Sequence, residues 1–250
     1  MGDIEMNTIT YDPLLVALSY VISVFGSYTA LQLAIAIPQA RTWTGVISSV
    51  TGAAIAIGGG AIWSMHFIAM NAADLGVPVA YDAFLTFASL IVGVAACGVG
   101  LFVVGRSDGG PFNLPLGGVL TGLGVALMHY TGMAAMIMPA KISYDTTLFA
   151  ASIVIAIVAA TVALWLAFHL RGNLQRFGSA LVMGIAVCGM HYTGMYAVQL
   201  QKTGEAVAST GISLSPTDLG YSVFGITAAL LTLLLIYSAW RSQRMLRTEI

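Results

Sequence analysis

Three short stretches carry the residues with chemistry in them. Residues 65–70 read MHFIAM, while residues 128–133 and 190–195 both read MHYTGM. In a helix, side chains four residues apart share a face, so His66 with Met70, His129 with Met133 and His191 with Met195 each converge on one point. The preceding methionines, Met65, Met128 and Met190, point roughly 100° away at about 3.6 residues per turn and suit a neighbouring helix or a second site. Imidazole with thioether is a soft, neutral ligand set. It suits Cu(I), and with histidine predominating also Cu(II), better than magnesium or calcium. Paired histidines or a His/Met pair can also hold a haem iron axially. The competing reading is packing: a histidine on an apolar helix is commonly hydrogen-bonded and nothing more, and methionine fills irregular cores. Against it, the three copies take three of only four histidines and six of twelve methionines in the chain.

The elements that must position these residues are membrane spans. Of 250 residues, 58% are apolar and 8% charged, and the mean hydropathy is +0.92, far outside the range of soluble globular chains. Stretches near 13–36, 45–70, 83–104, 115–139, 146–170, 178–200 and 219–240 are each long enough to cross a hydrocarbon core of about 30 Å, which takes about 20 apolar residues. All seven prolines (Pro13, Pro38, Pro78, Pro111, Pro115, Pro139 and Pro216) fall at or near the ends of these stretches, where a missing N–H costs least. The expected fold is therefore an all-α integral membrane protein of seven transmembrane helices. Residues 1–12 would be a short extracytoplasmic N-terminus, 13–240 the membrane domain and 241–250 a cytoplasmic tail.

Orientation follows from the basic residues. Arg41, Arg106, Arg171, Arg176, Arg241, Arg244 and Arg247 fall on one side if the helices alternate, and only Lys141 and Lys202 on the other. Under the positive-inside rule this sets the N-terminus outside and the C-terminus in the cytoplasm. No basic region and cleavage site precede the first apolar stretch, so it is expected to be a retained span rather than a signal peptide. The absence of lysine from every span excludes a retinal Schiff base, and Asp and Glu sit only in loops or at helix ends, which excludes a midplane carboxylate relay. No nucleotide loop, hydrolase nucleophile or basic nucleic-acid face is present, so the chain is expected to be no enzyme in itself. Cys97 and Cys188 lie inside spans and read as small apolar residues, with Cys188 a weaker candidate for the third site because it stands three residues before His191.

His66, His129 and His191 are spaced by 63 and 62 residues, the period of a repeated supersecondary unit, here a pair of helices; three pairs and a final helix make seven. Gly59, Gly122 and Gly184 each stand seven residues before their histidine, where small residues would let helices approach closely. Tyr11-Asp12, Tyr81-Asp82 and Tyr144-Asp145 open spans 1, 3 and 5, followed seven residues later by Ser19, Ser89 and Ser152. Tyrosine suits the interfacial belt and Asp a helix N-cap; a sharper role would be a carboxylate accepting a histidine N–H. The serines are expected to bond back to their own helix. His169 reads as an interfacial residue, and Met136 and Met138 as an extension of the soft face of helix 4.

With these three motifs on alternate helices of a seven-helix chain, residues 13–240 resemble the MHYT domain of bacterial membrane sensors. The resemblance implies a multi-pass protein of the bacterial inner (cytoplasmic) membrane. It implies copper held near the outer face by Met65, His66, Met70, Met128, His129, Met133, Met190, His191 and Met195, and recognition of a diatomic gas such as O2, NO or CO. It also implies a cytoplasmic signalling partner or fused output domain, often one that makes or breaks down cyclic di-GMP, and the tail WRSQRMLRTEI reads as the start of such a linker. The first copy departs from the motif, with Phe67, Ile68 and Ala69 in place of Tyr, Thr and Gly, so no polar role of Tyr130, Thr131, Tyr192 or Thr193 can be threefold. The alternatives are a copper-handling membrane protein without signalling output, a haem-binding membrane protein, and an anchor for signalling domains.

Overall fold

The computed structural model describes residues 9–106, 111–170, 172–203 and 211–248. Seven helices are long and apolar enough to cross a membrane: α1 (Pro13–Gln39), α2 (Trp43–Ala72), α3 (Ala83–Gly105), α4 (Asn113–Ala134), α5 (Thr146–His169), α6 (Asn173–Tyr196) and α7 (Pro216–Thr248, of which Pro216–Arg241 is the span). The chain is an all-α protein with seven membrane-span-capable helices. Helices α1 to α6 touch in succession and α6 returns to α1, closing a ring; α7 lies outside it against α1 and α2.

Alternation puts Arg41, Arg106, Arg176 and Arg241 at one end of the bundle and the motifs with Lys141 and Lys202 at the other. Arg171 lies outside the described residues, as do the side chains of Arg244 and Arg247. The helix continues through Arg241 to Thr248, so the segment read as a tail is an extension of α7 over those residues.

The sequence gives no sign of strands, yet short antiparallel pairs tie the motif ends together. They are β1 (Thr10–Tyr11) with β2 (Ala73–Asp74), β3 (Ala80–Asp82) with β4 (Met136–Ile137) and β7 (Ser213–Leu214), and β5 (Ala140–Tyr144) with β6 (Val198–Lys202). Each of the first six strands clamps the start of an odd helix to the end of the even helix after it. The clamp has a common bond: the backbone N–H groups of Asp12, Asp82 and Asp145 donate to the carbonyls of Ala72, Ala135 and Ala197, at 2.9, 2.8 and 2.8 Å. These carbonyls are among those a helix end leaves without an internal partner. The same aspartates cap α1, α3 and α5 with their side chains, accepting from Leu14 and Leu15, from Leu85 and from Leu148. The strands end two expected helices early. Helix 4 ends at Ala134 rather than 139, so Met136 in β4 and Met138 after it extend no helix face, and helix 6 runs 173–196 rather than 178–200.

Helix α2 is not regular. Residues Ile55–Trp63 form a π-helical segment around Gly58, Gly59 and Gly60, and the Ser64 N–H bonds to the Gly59 carbonyl five residues back. Runs of glycine carry no side chain to hold an α register, and a π segment inserts an extra residue. The insertion shifts the repeat. A Cβ on Gly122 would fall on the backbone of Ile157, and one on Gly184 against Val24. The matching close approach in the first copy, against Gly93 and Val94, is made by Gly58, while Gly59 has ordinary clearance. The expected role of Gly59 is thus taken by its neighbour, because the π turn adds a residue between it and His66.

Overpacking a core commonly costs 1–3 kcal/mol, and here the obstacle is main chain that cannot swing aside, so Gly122→Leu is expected to cost about 3 kcal/mol or more. Gly178→Leu, at a position with nothing within 4 Å, should be nearly neutral. Thermal unfolding midpoints of the two variants in detergent check this.

Candidate functional site

The three motif helices, α2, α4 and α6, meet at the centre of the ring, and their histidines meet there too. His66, His129 and His191 are 0–1% exposed. His66 Nδ1 lies 3.0 Å from His191 Nδ1 and 3.2 Å from His129 Nδ1. The rings stand edge to face, with centroids 4.9, 5.0 and 5.1 Å apart. Among the described residues these three form the one cluster of His, Cys, Asp or Glu able to converge on a metal ion, with all its ligand atoms within 4.8 Å. Cys188 is no part of it, and both cysteines are free. The aspartate caps are occupied at their own helices, which leaves the sharper carboxylate role without a contact.

The Nδ1 geometry has a chemical consequence. A ring nitrogen carries either one proton or one lone pair. His66 Nδ1 can therefore make one well-directed hydrogen bond, and its second short contact is a shared proton or a repulsion. The three Nε2 atoms are buried without hydrogen-bond partners among the described residues. Two of them are seated on glycine: a Cβ added to Gly132 would fall on His66 Nε2, and one added to Gly194 on His129 Nε2. The motif glycine thus makes room for the ring of the neighbouring copy. The third such position is Ala69, fully buried.

All six motif methionines are buried, 0–3% exposed. Met128 lies against Gly93 of α3 and Met190 lines a cavity between helices. Met65, Met70, Met133 and Met195 each flank a histidine in its own buried turn. His169, at the opposite end, stacks on Trp165 with its Nδ1 2.8 Å from that residue's carbonyl, well away from the cluster.

Around the histidines the aromatic partners repeat. Phe67, Tyr130 and Tyr192 meet Tyr81, Tyr144 and Tyr11 edge to face, at 5.6, 5.2 and 5.4 Å. The Tyr-Asp tyrosines therefore pack on the motif, and Tyr81 is buried outright rather than sitting in an interfacial belt. Burial pushes the Tyr11 and Tyr144 phenols up to about 12 and Tyr81 further, so all three are neutral donors at ordinary pH. Ser19, Ser89 and Ser152 bond back to the carbonyls of Val16, Thr86 and Phe149, as expected. Ser152 also meets the Tyr130 hydroxyl at 2.7 Å.

Phe67 has no hydroxyl to offer Ser89. The Trp63 indole, one turn back on α2, supplies the missing bond, donating to Ser89 Oγ at 3.0 Å. The buried Tyr192 hydroxyl faces Ser19, the counterpart of Ser152 in the third copy. Sequence reasoning missed Trp63 and the glycine seats; the motif spacing held a signal only for the latter. Trp63→Phe is expected to cost about 1 kcal/mol, the usual net worth of one hydrogen bond, and adding Phe67→Tyr should recover part of it by restoring the arrangement of the second copy. Unfolding midpoints of the single and double variants measure this coupling.

The comparisons agree with a threefold repeat but set its phase differently, pairing α2 with α3, α4 with α5 and α6 with α7 and leaving α1 as the unmatched span. The profile of the MHYT family, described as a bacterial signalling protein N terminal repeat, matches residues 59–117, 122–180 and 184–248. The chain is 40% identical over 246 residues to the bifunctional diguanylate cyclase/cyclic di-GMP phosphodiesterase MucR of Pseudomonas aeruginosa, covering 96% of this chain and 36% of that protein. It is 32% identical over 251 residues to the cyclic di-GMP phosphodiesterase NbdA of the same organism, covering 96% and 31%. It is also 34% identical over 225 residues to the signaling protein YkoW of Bacillus subtilis, covering 86% and 27%. The chain thus spans about a third of the length of these relatives, and the activities in their names belong to the whole proteins. No solved structure matches it. Histidines repeated on alternate helices and meeting at one point are here the mark of a shared lineage: the chain belongs to the MHYT family of bacterial signalling proteins, as a multi-pass membrane domain.

Proposed function

We propose that this domain holds a copper ion on His66, His129 and His191 and senses a diatomic gas (O2, NO or CO) or the copper and redox state itself, passing the result to a cytoplasmic signalling output. The observation that carries the reading is the convergence of three Nδ1 atoms, two pairs of them at 3.0 and 3.2 Å. A cation at their centre would accept all three lone pairs and remove the unsatisfied contact. His66, His129 and His191 would hold the ion through these ring nitrogens, whose ligand atoms all lie within 4.8 Å of one another. Nitrogen donors without a carboxylate favour copper over magnesium or calcium.

Haem is the poorer fit. Two of these histidines could hold a haem iron only with the macrocycle between them, and their rings meet edge to face with centroids 4.9, 5.0 and 5.1 Å apart, which leaves no such gap. Bound copper would supply an open coordination position for the gas. The chain's own residues supply the rest: the glycine seats and the edge-to-face tyrosines orient the rings, and the strand clamps hold the three helix ends in register. A sensor needs two states that its ligand distinguishes; ring geometry at a point shared by three helix pairs is where such a difference would arise. The domain would sit in the bacterial inner membrane with the motif end outside.

The test is metal content by elemental mass spectrometry, with an absorption spectrum, on detergent-purified protein beside the variant His66→Ala/His129→Ala/His191→Ala. Copper in the parent and none in the variant is the expected result. A folded parent that is metal-free and refuses added Cu(I) would overturn the reading.

A further inference from the structure

Between α1, α3, α4, α5 and α6, at mid-membrane depth, lies a cavity of about 430 Å³. Its lining is apolar almost throughout. Thr121 is its single hydroxyl, and that group already donates to the Ala96 carbonyl. Ile57 and Ile62 of the π segment and Met190, next to His191, also line it. Val154, Val158 and Val162 of α5 and Val182 of α6 line the cavity and are yet 44–59% exposed. The space therefore opens sideways between α5 and α6, at the depth where a bilayer is hydrocarbon.

Size and chemistry identify the occupant. A buried water needs two to four polar partners and takes about 30 Å³; this lining offers no such set of partners. A diatomic gas, of similar size to a water, would leave most of the space empty, and packed interiors do not leave voids of this volume. Cavities of roughly 300–1,000 Å³ with apolar walls are the usual size of sites for whole ligands. What stands at this mouth is the acyl region of the membrane.

We infer that the cavity binds one hydrocarbon chain of a membrane lipid, which enters between α5 and α6. The chain reaches the π segment of α2 and the helix turn that carries His191, so its length and saturation bear on two of the three histidine helices. The assignment is independent of any metal.

The test uses the full 250-residue chain in nanodiscs of phosphatidylethanolamine and phosphatidylglycerol, doped with a phospholipid bearing a diazirine on its acyl chain. After illumination, adduct positions are mapped by peptide mass spectrometry. Adducts are expected on Cys97, Leu101 or Met190, all buried in the protein, besides those on outward residues. Val158→Trp, which plugs the mouth, should reduce the interior adducts several-fold and leave those on exposed Phe84 and Ile91 of α3 unchanged. If Val158→Trp does not fold, Ala160→Leu, which fills the cavity from within, carries the same expectation. Adducts confined to outward residues, or interior adducts indifferent to both substitutions, would overturn the proposal.

Discussion

His66→Ala is expected to lower copper affinity by more than a hundredfold. Losing a group that merely orients a metal ligand commonly costs about 10–100-fold, and here a ligand itself is removed. His66 is also the ring whose Nδ1 lies within 3.2 Å of both others, so the two that remain lose their common neighbour. Competition against Cu(I) chelators of graded affinity measures the loss. His129→Ala and His191→Ala should also each lower affinity about a hundredfold or more, because each removes one of the three ligands. The metal-free variant should also lose about 2–4 kcal/mol of stability through the volume left behind. A stability loss of that size with copper affinity unchanged is what packing alone predicts, so the two measurements together separate the readings.

Gly132→Ala is expected to weaken copper binding at least tenfold while leaving every ligand in place. The added methyl would occupy the position of His66 Nε2, and the ring, enclosed on all sides, must shift or tilt. Overpacking of this kind costs about 1–3 kcal/mol, and part of it falls on the one ring that the other two share. Gly194→Ala should act in the same way through His129. Position 69 is the internal control. It carries alanine already and is fully buried, so Ala69→Gly should cost only about 0.5–1 kcal/mol, the helix penalty of glycine, with copper affinity close to the parent's. Equal affinities across all three substitutions would mean that the glycines do not seat the rings.

Much of this arrangement was legible in the residues. Histidines at a fixed period on alternate apolar stretches imply that equivalent helices present equivalent faces, and the ring closes as that requires. The N-caps of Asp12, Asp82 and Asp145 were readable from residue type and position. Other features were hidden for physical reasons. A two-residue strand such as β1 or β4 has too few positions to show alternation, and it forms because a partner backbone is held beside it. The π segment erases the match between Gly59 and Gly122, since aligning letters assumes a constant number of residues per turn. Trp63 escaped notice because its bond replaces one made elsewhere in the other copies: the hydroxyl missing at Phe67 is supplied from one turn back. The convergence of the three Nδ1 atoms depends on ring rotamers that spacing leaves free.

The count of helices has a topological consequence. Six helices closed into a ring return the chain to the side on which it began, so anything confined to the ring starts and ends on one face of the bilayer. The seventh changes the parity. In the family repeat it follows α6 as α3 follows α2 and α5 follows α4, and it leans on the copy that departs most from the motif: Thr227 meets Ser64 at 2.7 Å, and Leu231 fills the hollow over Gly60. The crossing that sets the parity is thereby docked on the turn that precedes His66.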